Sequence, residues 1–309
     1  MRVAVWGAGA VGTGLVHRLT TCPFVSEIRW VNRTFAAIDR QAIDIRHGLA
    51  HAPTCWRVEA HAEDQANDVL GEVEVLVLTL GKSVAQSGGR KDVYVENVGI
   101  FRQKVFPALA GFEGQILVIS NPVDLMARLV FKEGGVSHER VVGLGTVVET
   151  ARLRAAVSGY LPGSPSARSV RAYAVGTHDE KFLPILFPDI APGQFLSAEE
   201  IQELLPIVRA EVSKANKRVR TADSDRTLHP IVEGAVAVLA ELATPSRMPL
   251  TISVLDPDSP DALFYSVPCT IDSCGIERHV RRLEDGPAKT ELETCIASLR
   301  ATLQDHPSA

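Results

Sequence analysis

The chain has 309 residues, 46% of them hydrophobic, with 32 Lys and Arg against 37 Asp and Glu for a formal charge of −5. That length buries a substantial core, and the mildly acidic balance leaves no broad basic field for nucleic acid or an anionic membrane. No apolar run approaches the roughly 20 residues that span a bilayer, and Arg2 leads into a fold-forming strand instead of a signal peptide. Five scattered cysteines lack CxxC or Cys/His metal spacing, so the expectation is a cytoplasmic protein with buried thiols and no metal site.

In chain order, the apolar strand Arg2–Trp6 runs into Gly7-Ala-Gly9-Ala-Val-Gly12, which reads as a dinucleotide cradle. In such a turn the first glycine takes the tight bend, the second lets backbone N–H groups approach a pyrophosphate, and the third lets helix pack on strand. The helix dipole then faces the phosphates. Periodicity predicts a helix over 11–19, a strand over 27–31, a helix over about 36–49, and strands near 56–60 and 73–80. A helix over 95–109, a strand over 115–120, a helix after Asp124 and a strand over 140–143 complete six strands, an α/β Rossmann fold with a doubly wound parallel sheet. Ligands of such sheets sit beyond the strand C-termini, so Gly7–Gly12, Asn32–Thr34, Leu80–Lys82 and Asn121 are expected along one crevice.

From Thr146 the pattern turns helical to about Gly159, followed by a β-like run over 170–175 and long amphipathic helices over 197–217 and about 227–243. Strands over 250–255 and 264–268 and a helix over 288–303 follow. The expected division is a dinucleotide-binding domain over 1–144 and an α+β substrate domain over 145–309.

At the end of the second strand, where an NAD-type fold carries Asp or Glu for the ribose 2′-OH, stands Asn32. Without a carboxylate to repel a 2′-phosphate, Arg33 can pair with that phosphate and Thr34 can add a hydrogen bond. NADP(H) is therefore favoured, with NAD(H) the alternative in which Arg33 is a solvated charge and Asn32 meets a 2′-OH. Val31-Asn-Arg-Thr34 also resembles the 2′-phosphate-binding turn of 6-phosphogluconate dehydrogenases.

The stretch Gly81-Lys-Ser-Val-Ala-Gln-Ser-Gly-Gly-Arg90-Lys-Asp-Val-Tyr-Val-Glu-Asn97 resembles, without a gap, the mobile loop of the lactate/malate dehydrogenase family. Asp44–Gly48, Ile119-Ser-Asn121-Pro-Val-Asp124, Gly143–Arg154 with Glu149 and Arg152, Gly176-Thr-His178 and Pro268–Arg278 follow in family order. The resemblance covers nearly the whole chain and implies a nicotinamide-dependent L-2-hydroxy acid dehydrogenase, as a homodimer or homotetramer. It implies His178 as acid/base, with Glu149 as its carboxylate partner in place of the family's Asp, one methylene longer. Arg152 is implied as the two-pronged clamp on the substrate carboxylate, and Arg90 as the loop cation that polarises the carbonyl, beside Gly88 and Gly89. The resemblance further implies that Gly81 and Asn121 lie against the cofactor, Asn121 near the reacting carbonyl and the nicotinamide ribose. A cis bond before Pro122 is implied, as are Thr227 near the substrate and Ile231 against the nicotinamide.

Two departures bear on the substrate. Position 85, Gln in lactate and Arg in malate dehydrogenases, is Ala85, which suits a longer or branched 2-oxo acid and speaks against lactate and malate. Alternatively Lys82, Ser83 and Ser87, with Arg226 and His229, supply an anion pocket for a second acidic group, as in oxaloacetate or phosphonopyruvate. Thr177 and Asp179-Glu180-Lys181 depart from the family's pattern around the histidine, which keeps open a non-catalytic, dinucleotide-binding regulator. Arg154 and Arg171 align with positions at which some bacterial relatives bind a sugar bisphosphate.

Overall fold

The computed structural model describes residues 1–51, 54–82, 90–178, 182–272, 275–280 and 288–304, apart from 222–227 and the side chains of 90–91 and 216–221. The parallel strands are β1 (Arg2–Trp6), β2 (Glu27–Asn32), β3 (Arg57–Ala62), β4 (Val75–Leu78), β5 (Gln115–Val118) and β6 (Val141–Gly143). They are joined by α1 (Ala10–Leu19), α2 (Phe35–Gly48), α3 (Ala66–Leu70), α4 (Arg90–Ile100) and α5 (Val123–Glu133). Helices on both faces leave no wet side, so β1 and β4 are runs of buried Val, Ala and Leu without alternation.

Their spatial order is β3-β2-β1-β4-β5-β6, with the reversal between β1 and β4. The expected doubly wound fold is therefore present. The sheet then runs on: β9 (Leu250–Leu255), β10 (Phe264–Asp272) and β11 (Gly275–Arg278) extend it antiparallel beyond β6, making nine strands among the described residues. It thus crosses the boundary anticipated at residue 144. The later strands had been assigned to the second half of the chain, and pairing between Gly143 and Ser253 is a long-range contact with no local signal.

After β6 comes α6 (Val147–Tyr160), then the antiparallel pair β7 (Ala172–Val175) and β8 (Leu183–Leu186). The helices α7 (Ala198–Thr221), α8 (His229–Ala243) and α9 (Ala288–Gln304) complete the fold. Strand β8 was not anticipated, because Pro184 reads as a strand breaker; it is tolerated in a two-stranded ribbon. Helix α4 begins five residues before the expected start, and it gives way to a wide turn over Phe101–Val105 just ahead of Pro107, which has no N–H to continue the ladder.

One apolar core fills the space around the large sheet, and a second joins α6, β7, β8 and α7 through Leu153, Val157, Phe182 and Val208. Helix α8 lies across α1, where Leu228 and Val232 pack 3.2 and 3.3 Å from the position a Cβ on Gly14 would take. Arg18 and Glu233 close that contact with a 2.7 Å ion pair. Among the described residues no helix is long and apolar enough to cross a membrane.

Candidate active site

The glycine turn is built as its spacing requires. Gly7 has φ +125°, and a Cβ on it would lie 2.5 Å from Thr79 Oγ1, while one on Gly12 would run into the Gly7 carbonyl. A Cβ on Gly9, the N-cap of α1, would meet nothing within 4 Å. Two glycines thus seal the turn against β4, and the third leaves open space over backbone N–H groups at a helix N-terminus. That cradle fits a pyrophosphate. Gly7 N–H donates to Val31 O at 2.9 Å and Trp30 Nε1 to Gly7 O at 2.9 Å, which locks the turn to β2.

Asn32 ends β2, and its Nδ2 donates to Thr34 O at 3.3 Å; Arg33 and Thr34 are exposed beside it. Gly81 follows β4 and Asn121 follows β5, so these residues share the C-terminal edge of the sheet as expected. The Asn121–Pro122 peptide is cis. Ile231 is partly buried in the first turn of α8, between the two residues that pack on α1.

At the same edge, beyond β6, the first turn of α6 carries Glu149, which is only 5% exposed. Its Oε2 lies 3.0 Å from His178 Nδ1 and its Oε1 3.6 Å from the Arg152 guanidinium. Burial, the largest single effect on this carboxyl, works against ionisation. The His178 charge and hydrogen bond, with Arg152 further off, outweigh it and hold Glu149 below the ordinary glutamate value. The extra methylene relative to Asp therefore does not separate the pair. His178 keeps 24% of its side chain exposed, so the ring is anchored on one side and accessible on the other.

Several cross-links fix that geometry. Gly176 exchanges two backbone hydrogen bonds with Ser266 on β10, at 2.8 and 2.7 Å, which hangs the histidine segment on the large sheet. The His178 N–H donates to Asp124 Oδ2 at 3.0 Å, and Asp124 is buried in the first turn of α5. Thr146 N–H donates to Ser266 Oγ at 3.0 Å and Thr146 Oγ1 to Ala174 O at 2.6 Å, tying the start of α6 to β7 and β10. In the sequence Asp124 stands out only as part of a motif; its pairing with a backbone N–H 54 residues away carries no local signal.

Arg90 is the first residue of α4, but its side chain, Ala85 and Thr227 lie outside the described residues, as do Ser83, Ser87, residues 179–181 and Arg226. Lys82 is described, and its ammonium lies 3.7 Å from Glu96. Arg171 pairs with Asp189 and lies over the Phe187 ring, while Arg154 donates to Ala172 O at 3.0 Å and stacks on Tyr173.

Comparison with known proteins matches this arrangement along its length. A model described as "lactate/malate dehydrogenase, NAD binding domain" matches residues 1–143. The L-lactate dehydrogenase of Geobacillus stearothermophilus is 28% identical over 311 residues, covering 98% of this chain and 96% of that one. L-lactate dehydrogenase 1 of Staphylococcus aureus (strain JH9) is 27% identical over 314 residues, covering 98% and 95%. Among solved structures, MGS-M5, a lactate dehydrogenase from a Medee basin deep-sea metagenome library, superposes with a TM-score of 0.86 at 27% identity, covering 98% of each chain. These relatives span both the cradle and the segments bearing Glu149 and His178: residues 1–143 match the NAD-binding domain of the lactate/malate dehydrogenase family, and the chain is similar along its length to lactate dehydrogenases.

Proposed function

We propose that the chain interconverts a 2-oxo monoacid and the L-2-hydroxy acid with NADP(H) in preference to NAD(H), residues 1–144 holding the dinucleotide and 145–309 supplying the acid/base and anchor. The observation that carries the reading is the single Glu149 carboxylate standing 3.0 Å from His178 Nδ1 and 3.6 Å from Arg152. A bound nicotinamide supplies hydride exchange at the substrate carbon. His178 Nε2 gives the proton to the developing alkoxide, and Glu149 holds the ring in the orientation and charge that this requires. Arg152 grips the substrate carboxylate, and Arg90 polarises the carbonyl. Gly7, Gly9, Gly12 and Gly81 border the dinucleotide, with Asn121 and Ile231 at its nicotinamide end and Thr227 toward the substrate.

NADP(H) preference is supported by the lack of a carboxylate at the end of β2 and by exposed Arg33 one residue on. The monoacid is favoured because Lys82, the described cation of the alternative anion pocket, faces Glu96. Within monoacids Ala85 suits a longer or branched side chain. The similarity to lactate dehydrogenases lends no support to excluding lactate, so pyruvate belongs in the test. Oxidation of NADPH and NADH is measured side by side with pyruvate, branched 2-oxo monoacids, oxaloacetate and phosphonopyruvate. Fastest turnover with NADPH and a monoacid is expected; fastest turnover with a diacid would overturn the substrate class, and NADH as the better donor would overturn the cofactor preference. The same preparation tests the homodimer or homotetramer by its mass in solution.

A further inference from the structure

The end of β4 and the end of β5 are stitched together by two side chains that no part of the reaction as described employs. Asn97, on α4 seven residues past Arg90, is 1% exposed. Its Oδ1 accepts the Lys82 N–H at 2.7 Å, and its Nδ2 donates to Asn121 O at 2.7 Å and to Lys82 O at 3.4 Å. Ser120 Oγ adds a parallel link, donating to Leu80 O at 2.5 Å. Gly81 is shaped around the amide: it has φ +129°, and a Cβ on it would lie 2.6 Å from Asn97 Oδ1.

A buried amide with both ends engaged is directional, because the carbonyl end can only accept and the amino end can only donate. It therefore fixes the spacing of three backbone points at once: Lys82 after β4, Asn121 after β5, and α4 itself, whose first residue is Arg90. We propose that Asn97 is a positioning residue for turnover, setting Asn121 and the helix that begins at Arg90 in register with the cradle, without touching substrate or cofactor. The inference rests on the reading of Asn121 and Arg90 given above.

Asn97→Ala leaves the Lys82 N–H and Asn121 O without their buried partner, and a small displacement of positioned groups is costly to rate, so kcat is expected to fall about tenfold or more. Asn97→Asp keeps the acceptor for Lys82 but loses the donor to Asn121 and is expected to lose activity too, and a thermal melt of each variant separates this loss from misfolding. In the nucleotide-free protein, hydrogen exchange at the Lys82 amide should rise about tenfold in Asn97→Ala, a readout independent of turnover. In an Asn121→Ala background the loss caused by Asn97→Ala should be smaller than in the parent, because one of the two groups that Asn97 positions is already gone. Multiplicative losses in that cycle, or Asn97 variants with kcat within about twofold of an active parent, would overturn the inference alone. A parent inactive with every acid tested would overturn the functional reading, and the role in turnover with it.

Discussion

His178 and Arg152 share one carboxylate: Glu149 presents Oε2 to the imidazole at 3.0 Å and Oε1 to the guanidinium at 3.6 Å. An aspartate at this position, one methylene shorter, would reach less far toward both groups. The proposed acid/base and the proposed substrate anchor are thereby coupled through a single buried group, and perturbing it is expected to alter proton transfer and substrate affinity together. Glu149→Asp is expected to raise KM and lower kcat, with kcat/KM down about tenfold, whereas Glu149→Gln, which cannot stabilise the imidazolium, should lose about a thousandfold in kcat. Steady-state kinetics of the two variants checks this, and a change confined to KM would contradict it.

The same carboxyl makes stability depend on acid. Its folded value lies below the unfolded one, so its contribution is present in full above the ordinary glutamate range and is lost as pH falls through the depressed folded value. The melting temperature of the parent should therefore drop as pH falls below the ordinary glutamate range, and drop less steeply in Glu149→Gln. Calorimetry across that range decides it; equal slopes would show that Glu149 is not a principal titrating group.

Cofactor choice should move at the end of β2. Arg33→Ala removes the cation proposed to meet the 2′-phosphate, and Asn32→Asp introduces a carboxylate that repels it. Each is expected to shift the NADPH to NADH ratio of kcat/KM about tenfold to a hundredfold toward NADH, the worth of one charge-assisted hydrogen bond. Paired assays with both nucleotides measure the shift, and an unchanged ratio would count against Arg33.

The glycine turn separates folding from binding. Gly9→Ser adds a small side chain where no neighbour lies within 4 Å of a Cβ and serves as well at a helix N-cap, so the melting temperature should hold while nucleotide binding weakens. Gly12→Ala places its Cβ against the Gly7 carbonyl and 2.7 Å from Thr79 Oγ1, so stability itself should fall by about 1–3 kcal/mol. Thermal melts with and without nucleotide distinguish the two.

The Rossmann half was legible because β1 is an apolar run leading into a glycine turn and β4 and β5 are further apolar runs. The sites of Glu149, His178 and Arg152 were legible only through ordered family motifs, since a lone histidine carries no local signal of its partner. Strand β11 escaped notice because Gly275-Ile-Glu-Arg278 is half-exposed and mostly polar. Asn97, Ser120 and Asp124 escaped it for a different reason: what distinguishes them is their partners, between 24 and 54 residues away for Asn121, Leu80 and His178, and pairing at that range is a property of the folded chain.

The continuity of the sheet through β6 and β9 bears on any attempt to dissect the molecule. A fragment ending at Leu144 would strip β6 of β9 and remove Ser253 from beside Gly143, leaving a raw β edge. Its counterpart would carry three strands with no sheet to join. Fragments produced apart should be insoluble singly and should regain structure when refolded together, as complementing pieces of one cooperative unit.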